Sequence, residues 1–174
     1  AGVPRLLHMS ALNADAQRGT SEYLKTKGAA EDYLHANAGS VAVTSFRPSV
    51  IFGPDDSFFN RFAALLRLPG PFPLACPKAR FAPVYVGDVA EAFARSLDDP
   101  ATFDQRYDLC GPRVFTLREL VDYTVQAMGD RKPIIELSDR LSRLQAKVLG
   151  VMPGRPFTMD NYRSMQMDSV CERD

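Results

Sequence analysis

The sequence predicts an α/β protein organised on a parallel sheet, and three observations predict it. Two apolar, strand-like runs, residues 4–9 and 41–46, bracket a long helical segment, and a crossover of that length is what joins neighbouring parallel strands. The first run reads as apolar on both faces, as buried parallel strands do. Ser10 stands at the carboxyl end of that run, and Tyr23 and Lys27 at the start of the helix that follows, where functional groups of such sheets collect.

The elements follow in order. Residues 13–19 form a polar, turn-rich loop. A helix capped by Thr20 or Ser21 runs to about Ala38, with Gly39 as its stop. Leu24, Ala30 and Leu34 are expected to face the sheet, and Glu31, Asp32 and Asn37 water. The β-branched run at 41–46 closes at Arg47-Pro48, where proline removes a ladder donor, and residues 49–54 continue as an extended loop. Asp55 and Asp56 cap a helix over 57–67. Residues 68–78 hold four prolines and a glycine and are expected to be an irregular lid or substrate loop.

Residues 79–86 read as one short strand, followed by a helix over 87–97 capped by Asp88, with Val89, Phe93 and Leu97 inward. A strand is expected over 106–110. Thr116 and Glu119 form a capping box that opens a helix to Met128, which Gly129 closes. A last strand is expected over 133–137. The amphipathic helix over 138–151 places Leu141, Leu144, Val148 and Val151 on one side and Arg140, Arg143 and Lys147 elsewhere. Packing of its apolar side on the domain's own core is expected, with a membrane surface as the other reading. The tail, 153–174, is polar and methionine-rich, with a helix near 159–165.

Composition narrows the function. The 174 residues allow one sizeable core. Twenty-one basic and twenty-one acidic side chains cancel, which removes any general attraction to nucleic acid. No apolar run approaches a membrane span. Cys76, Cys110 and Cys171 are odd in number, far apart and without a Cys-x-x-Cys, which predicts reduced thiols in a cytoplasmic setting. His8 and His35 read as a strand and a helix-surface residue, so no metal site is expected.

Tyr23 and Lys27 lie four positions apart and therefore share a helix face. A phenol is a poor proton donor or acceptor at neutral pH unless a cation stabilises its phenolate. Lys27 is placed to do so. Ser10 can hold a carbonyl or alcohol oxygen against the phenol while a hydride moves to or from a cofactor. Tyr-x-x-x-Lys also arises by accident, and the strand-helix-strand setting is what raises it above coincidence.

These residues resemble the second half of an extended or atypical short-chain dehydrogenase/reductase, the NAD-dependent epimerase/dehydratase superfamily. The carriers are Ser10 followed thirteen positions later by Tyr23-x-x-x-Lys27, then Arg47-Pro48-Ser49-Val50-Ile51-Phe52-Gly53-Pro54, then Pro83-Val84-Tyr85-Val86-Gly87-Asp88-Val89-Ala90-Glu91-Ala92. The stretches His8-Met9-Ser10-Ala11-Leu12, Phe58-Phe59-Asn60-Arg61-Phe62-Ala63 and Met159-Asp160-Asn161 are most similar to the branch that contains the nucleotide-binding accessory subunit of respiratory complex I (NADH:ubiquinone oxidoreductase) and its bacterial relatives.

The resemblance implies a Rossmann-type parallel sheet, represented by its last strands, with a smaller C-terminal α/β region on the substrate side. It implies Tyr23 as acid/base and ribose contact, Lys27 as ribose ligand and phenol tuner, and Ser10 as carbonyl orienter. Pro48, Ser49 and Val50 would lie along the nicotinamide end of NAD or NADP, and Asn60, Arg61 and Arg80 would face a small-molecule substrate. The family's glycine-rich pyrophosphate turn is not formed by the eleven glycines here. The expectation is a piece of a longer protein: residues 1–56 the end of the dinucleotide domain, 57–152 mixed sheet and substrate-side elements, 153–174 a tail. Weak or absent dinucleotide binding is expected of such a piece alone.

Two functions stand. One is an oxidoreductase or epimerase that moves a hydride between nicotinamide and a carbonyl or alcohol carbon, toward which the complete Ser10, Tyr23, Lys27 set leans. The other is a non-catalytic dinucleotide-binding accessory or assembly subunit, associating peripherally with a respiratory complex. An interaction module without cofactor is a third. Loss of the front strands would leave an exposed sheet edge through which copies self-associate.

Overall fold

The computed structural model describes residues 2–171. Strand β1 (Arg5–Met9) leads through helix α1 (Glu22–Asn37) to β2 (Ala42–Pro48), and the two strands pair in parallel, Arg5 against Ala42 through Met9 against Phe46. α1 starts at Ser21, whose hydroxyl accepts the Leu24 N–H at 3.2 Å, and Gly39, at φ 60°, follows its end. β3 (Ile51–Phe52), α2 (Ser57–Leu66), β4 (Phe72–Leu74), β5 (Arg80–Phe81), β6 (Val84–Tyr85) and α3 (Val86–Ser96) come next. β7 (Arg106–Leu109) then returns to lie parallel to β2, which gives the sheet order β1-β2-β7.

The remaining strands build a second region beside this sheet. β8 (Phe115–Thr116) pairs antiparallel with β5, β3 pairs in parallel with β6, and β9 (Ile134–Glu136) pairs in parallel with β4. α4 (Leu117–Ala127) opens on the Thr116–Glu119 capping box, and α5 (Asp139–Gly150) and α6 (Met159–Ser164) complete the described chain. The main core belongs to this region: Leu66, Leu74, Phe81, Leu117, Leu120 and Val121 are buried together, with Phe58, Phe62 and Phe72 packed against them. At the other end of the sheet Arg5 donates to Ala42 O, Thr44 Oγ1, Ser96 O and Thr102 Oγ1. Its guanidinium covers the Phe103 ring at 4.4 Å.

Six expectations are corrected. Glu31 does not face water: its side chain has no exposed surface and pairs with Arg47 and Arg106, while Ala30 lies on the open side. The proline-rich stretch contains β4, because a strand in a two-stranded sheet pairs along one edge only and Pro73 needs no donor on the other. Residues 79–86 make two strands with different partners, separated at Ala82-Pro83. Tyr85, not Asp88, is the cap residue of α3, and Asp88 lies in its first turn.

On α5 the buried residues are Ser142 and Ala146, and Leu141, Leu144, Val148 and Val151 are exposed. Finally, Cys110 and Cys171 form a disulfide with Cα atoms 6.0 Å apart, a separation suited to the bond. Cys76 alone is a free thiol, pushed up to about 11 by burial and the nearby Asp139 charge, against a hydrogen bond from Ser142. The prediction of three reduced cysteines fails, and the cytoplasmic inference drawn from them loses its basis.

Candidate functional site

The carboxyl ends of β1 and β2 bring the first group of candidates together. Lys27, on the second turn of α1, reaches back to donate to Met9 O at 3.1 Å, next to Ser10. Ser10 is 3% exposed, and its N–H donates to Phe46 O at 2.8 Å. Its hydroxyl faces the Glu31 carboxylate without closing a hydrogen bond of good geometry, so Ser10 Oγ is a buried polar atom left without a partner among the described residues. Such an atom is expensive in a finished core and ordinary where a ligand completes the bonding.

Tyr23 sits in the first turn of α1 and is 49% exposed. Partial burial raises its phenol above the ordinary value. α1 comes close to the 13–19 loop at Gly28, where a Cβ would stand 2.5 Å from Ala16 N and 2.6 Å from the Asp15 backbone. A glycine one residue after Lys27 thus lets this loop lie against the helix that carries Tyr23 and Lys27.

Behind these residues lies a charged cluster. Arg47 Nε donates to both Glu31 oxygens, at 3.0 and 3.1 Å, and Arg106 Nε donates to one at 2.8 Å. Burial pushes the Glu31 carboxyl up, but hydrogen bonding from Arg47, the facing Ser10 hydroxyl and the charges of Arg47 and Arg106 outweigh it, and Glu31 is held below the ordinary carboxylate value. His8 falls below its ordinary value through burial and the Lys27 charge, opposed by Glu31.

The tail supplies residues whose role sequence reasoning missed. Asp160 accepts the backbone N–H groups of Glu22 at 2.7 Å and Tyr23 at 3.2 Å, a carboxylate on the amino terminus of the helix. Ser164 donates to Ser21 Oγ at 2.8 Å. Ser49, buried at the end of β2, donates to Ser169 O at 2.7 Å. Pro48 is buried and Val50 packs against the main core. The only advance signal was the Met159-Asp160-Asn161 stretch, which spacing alone could not connect to α1.

The substrate-side candidates are not brought into one constellation. Asn60 is exposed and donates to Asp56 O at 2.8 Å, and Arg80 pairs with Asp168 at 3.4 Å. Arg61 lines a cavity of about 520 Å³ that neither of the other two touches. Phe58, Phe62, Leu65, Leu74, Leu149 and Phe157 make the cavity predominantly apolar, and Ser10, Tyr23 and Lys27 are not in its wall.

The parallel unit β1-α1-β2 places the chain in the Rossmann-type α/β class. Within that class the chain belongs to the 3-beta hydroxysteroid dehydrogenase/isomerase family, which it matches over residues 13–116. It is 33% identical to the mouse (Mus musculus) NADH dehydrogenase [ubiquinone] 1 alpha subcomplex subunit 9, mitochondrial, over all of this chain and 46% of that one. To the Arabidopsis thaliana protein of the same name it is 29% identical over 97% of this chain and 42% of the other. The chain therefore spans about half the length of these curated relatives.

Among solved structures, an NADPH-dependent quinone oxidoreductase of Escherichia coli complexed with NADPH superposes with a TM-score of 0.69 at 21% identity, over 95% of this chain and 56% of that one. A Thermus thermophilus UDP-glucose 4-epimerase complexed with NAD superposes with a TM-score of 0.62 at 22% identity, over 92% and 64%. These likenesses establish the fold.

Proposed function

We propose that the protein carrying this chain binds NAD or NADP at the carboxyl ends of β1 and β2 and acts as a dinucleotide-holding accessory subunit of an NADH:ubiquinone oxidoreductase-type assembly. The observation that carries the binding is the buried Ser10 hydroxyl, without a hydrogen-bond partner among the described residues, one position after the Met9 carbonyl that the Lys27 ammonium bonds, in the fold of a dinucleotide-binding family. Tyr23 and Lys27 would hold the nicotinamide ribose, and Pro48, Ser49 and Val50 would line the nicotinamide end through their backbone, since the Ser49 hydroxyl is committed to Ser169. The glycine turn for the pyrophosphate is not among these residues, so binding requires the full gene-length protein. The accessory role is supported by the names of the relatives. Asn60, Arg61 and Arg80 remain substrate-side candidates, with Arg61 best placed at a cavity.

A second reading is hydride transfer to or from a small carbonyl or alcohol compound, favoured by Ser10 directly after β1 and Tyr23 and Lys27 in the first two turns of α1. Bound nicotinamide supplies the hydride chemistry in that case. Ser10 would orient the substrate oxygen and Tyr23 Oη would hold or release its proton. The test compares the full gene-length protein with Tyr23→Phe for NADPH-induced thermal protection and for NAD(P)H oxidation with a panel of carbonyl compounds. Protection in both proteins with no turnover in either is expected. Turnover abolished by Tyr23→Phe establishes the enzymatic reading, and absence of protection in both removes dinucleotide binding.

A further inference from the structure

An apolar stripe on α5 is left bare by the rest of the described chain. Leu141, Leu144, Val148 and Val151 recur at helical spacing, and Leu144, Val148 and Val151 are 56%, 52% and 85% exposed. The helix is held instead through its small residues: Ser142 and Ala146 are buried, and Ser142 Oγ accepts the Cys76 N–H at 3.1 Å. Met152, also exposed, extends the stripe beyond the helix and joins Leu149 in the wall of the apolar cavity. The stripe and the cavity therefore adjoin. A solvent-facing helix would carry polar side chains at these positions.

Charge identifies the occupant. Arg140, Arg143 and Lys147 follow one another along the adjoining face of α5, are exposed, and form no ion pair among the described residues. The acidic groups near the start of the helix are already engaged, Asp139 with the Tyr162 hydroxyl at 2.5 Å and Glu136 with Arg118 at 3.0 Å. An apolar stripe edged by cations is the pattern of a helix lying in the interface of an anionic bilayer: aliphatic side chains enter the acyl boundary while basic ones remain at the headgroups. A protein partner would have to present an apolar groove with an acidic rim on one side only, a narrower requirement that nothing else among the described residues indicates.

We propose that α5 is a peripheral membrane-docking helix that lies flat on an anionic lipid surface. It inserts Leu141, Leu144, Val148 and Val151 and sets Arg140, Arg143 and Lys147 against lipid phosphates. No helix among the described residues is long and apolar enough to cross a membrane.

The experiment is vesicle flotation of the full gene-length protein, with phosphatidylcholine vesicles and with phosphatidylcholine vesicles containing phosphatidylglycerol. Two variants accompany it: Leu144→Glu with Val148→Glu, and Arg140→Gln with Arg143→Gln and Lys147→Gln. All five positions are exposed, so both variants should fold, and circular dichroism checks this. The unmodified protein should float with the anionic vesicles. The stripe variant should partition at least about tenfold less, and the charge variant should lose about fivefold per basic side chain and its preference for anionic lipid. No flotation with either lipid, or flotation unchanged by both variants, overturns the proposal. So does a dimer that only the stripe variant dissolves, since the stripe would then be covered by a second copy.

Discussion

Glu31 connects the helix of the candidate site to two of the three strands beneath it. Arg47 comes from β2 and Arg106 from β7, so one carboxylate fixes α1 on both. Glu31 is fully buried while the Arg47 and Arg106 side chains are 28% and 36% exposed, so its removal leaves two guanidiniums that water partly compensates, which costs about 1–3 kcal/mol. Glu31→Gln should therefore lower the free energy of unfolding by about 1–3 kcal/mol at neutral pH, measured by chemical denaturation.

The pH dependence of that difference has a definite sign. Because the folded carboxyl is held below its ordinary value, its contribution is present above the unfolded pKa and is lost as pH falls through the folded one. The gap between wild type and Glu31→Gln should narrow below about pH 4. A gap that widens toward acid would contradict the depressed pKa. Local pattern could not reveal this cluster: a glutamate on a helix is ordinarily solvated, and its partners lie 16 and 75 positions away.

Among the elements, those with local chemistry were legible and those defined by distant partners were not. Ser21, Asp56 and the Thr116–Glu119 box cap their helices as the sequence predicts, because a cap is decided within four residues. α5 shows the limit. Its amphipathic spacing was plain, but spacing cannot say whether the apolar side or Ser142 and Ala146 meets the core. The tail is the other case. Asn13 donates to Asp168 O at 2.8 Å, Ser169 bridges to Phe81, and Cys171 is bonded to Cys110 across 61 positions, none of which a three-cysteine spacing discloses.

The chain-entropy effect of closing a loop of that length is about 4 kcal/mol at most. Cys171→Ser should lower stability by about 2–4 kcal/mol. Dithiothreitol should destabilise the wild type and leave the variant unchanged. Equal stability of wild type and variant under oxidising conditions would show that the bond does not constrain the tail.

At the scale of the molecule, the parallel α/β class and the return of Lys27 to the end of β1, where it bonds Met9 O, were readable because a βαβ unit places strand ends and helix starts together whatever lies outside it. What covers the sheet beyond β1 was not readable, since β1 is the outer strand of the described sheet. Under the proposed function this sheet end holds the nicotinamide ribose, with Lys27 as its cation. The most direct test is equilibrium titration of the full gene-length protein with NADPH and NADH, followed by nucleotide fluorescence, beside Lys27→Met. Saturable binding of at least one dinucleotide, weakened about tenfold or more by loss of a charge-assisted hydrogen bond, is the expected result. Absence of binding, or affinity indifferent to Lys27→Met, would contradict it.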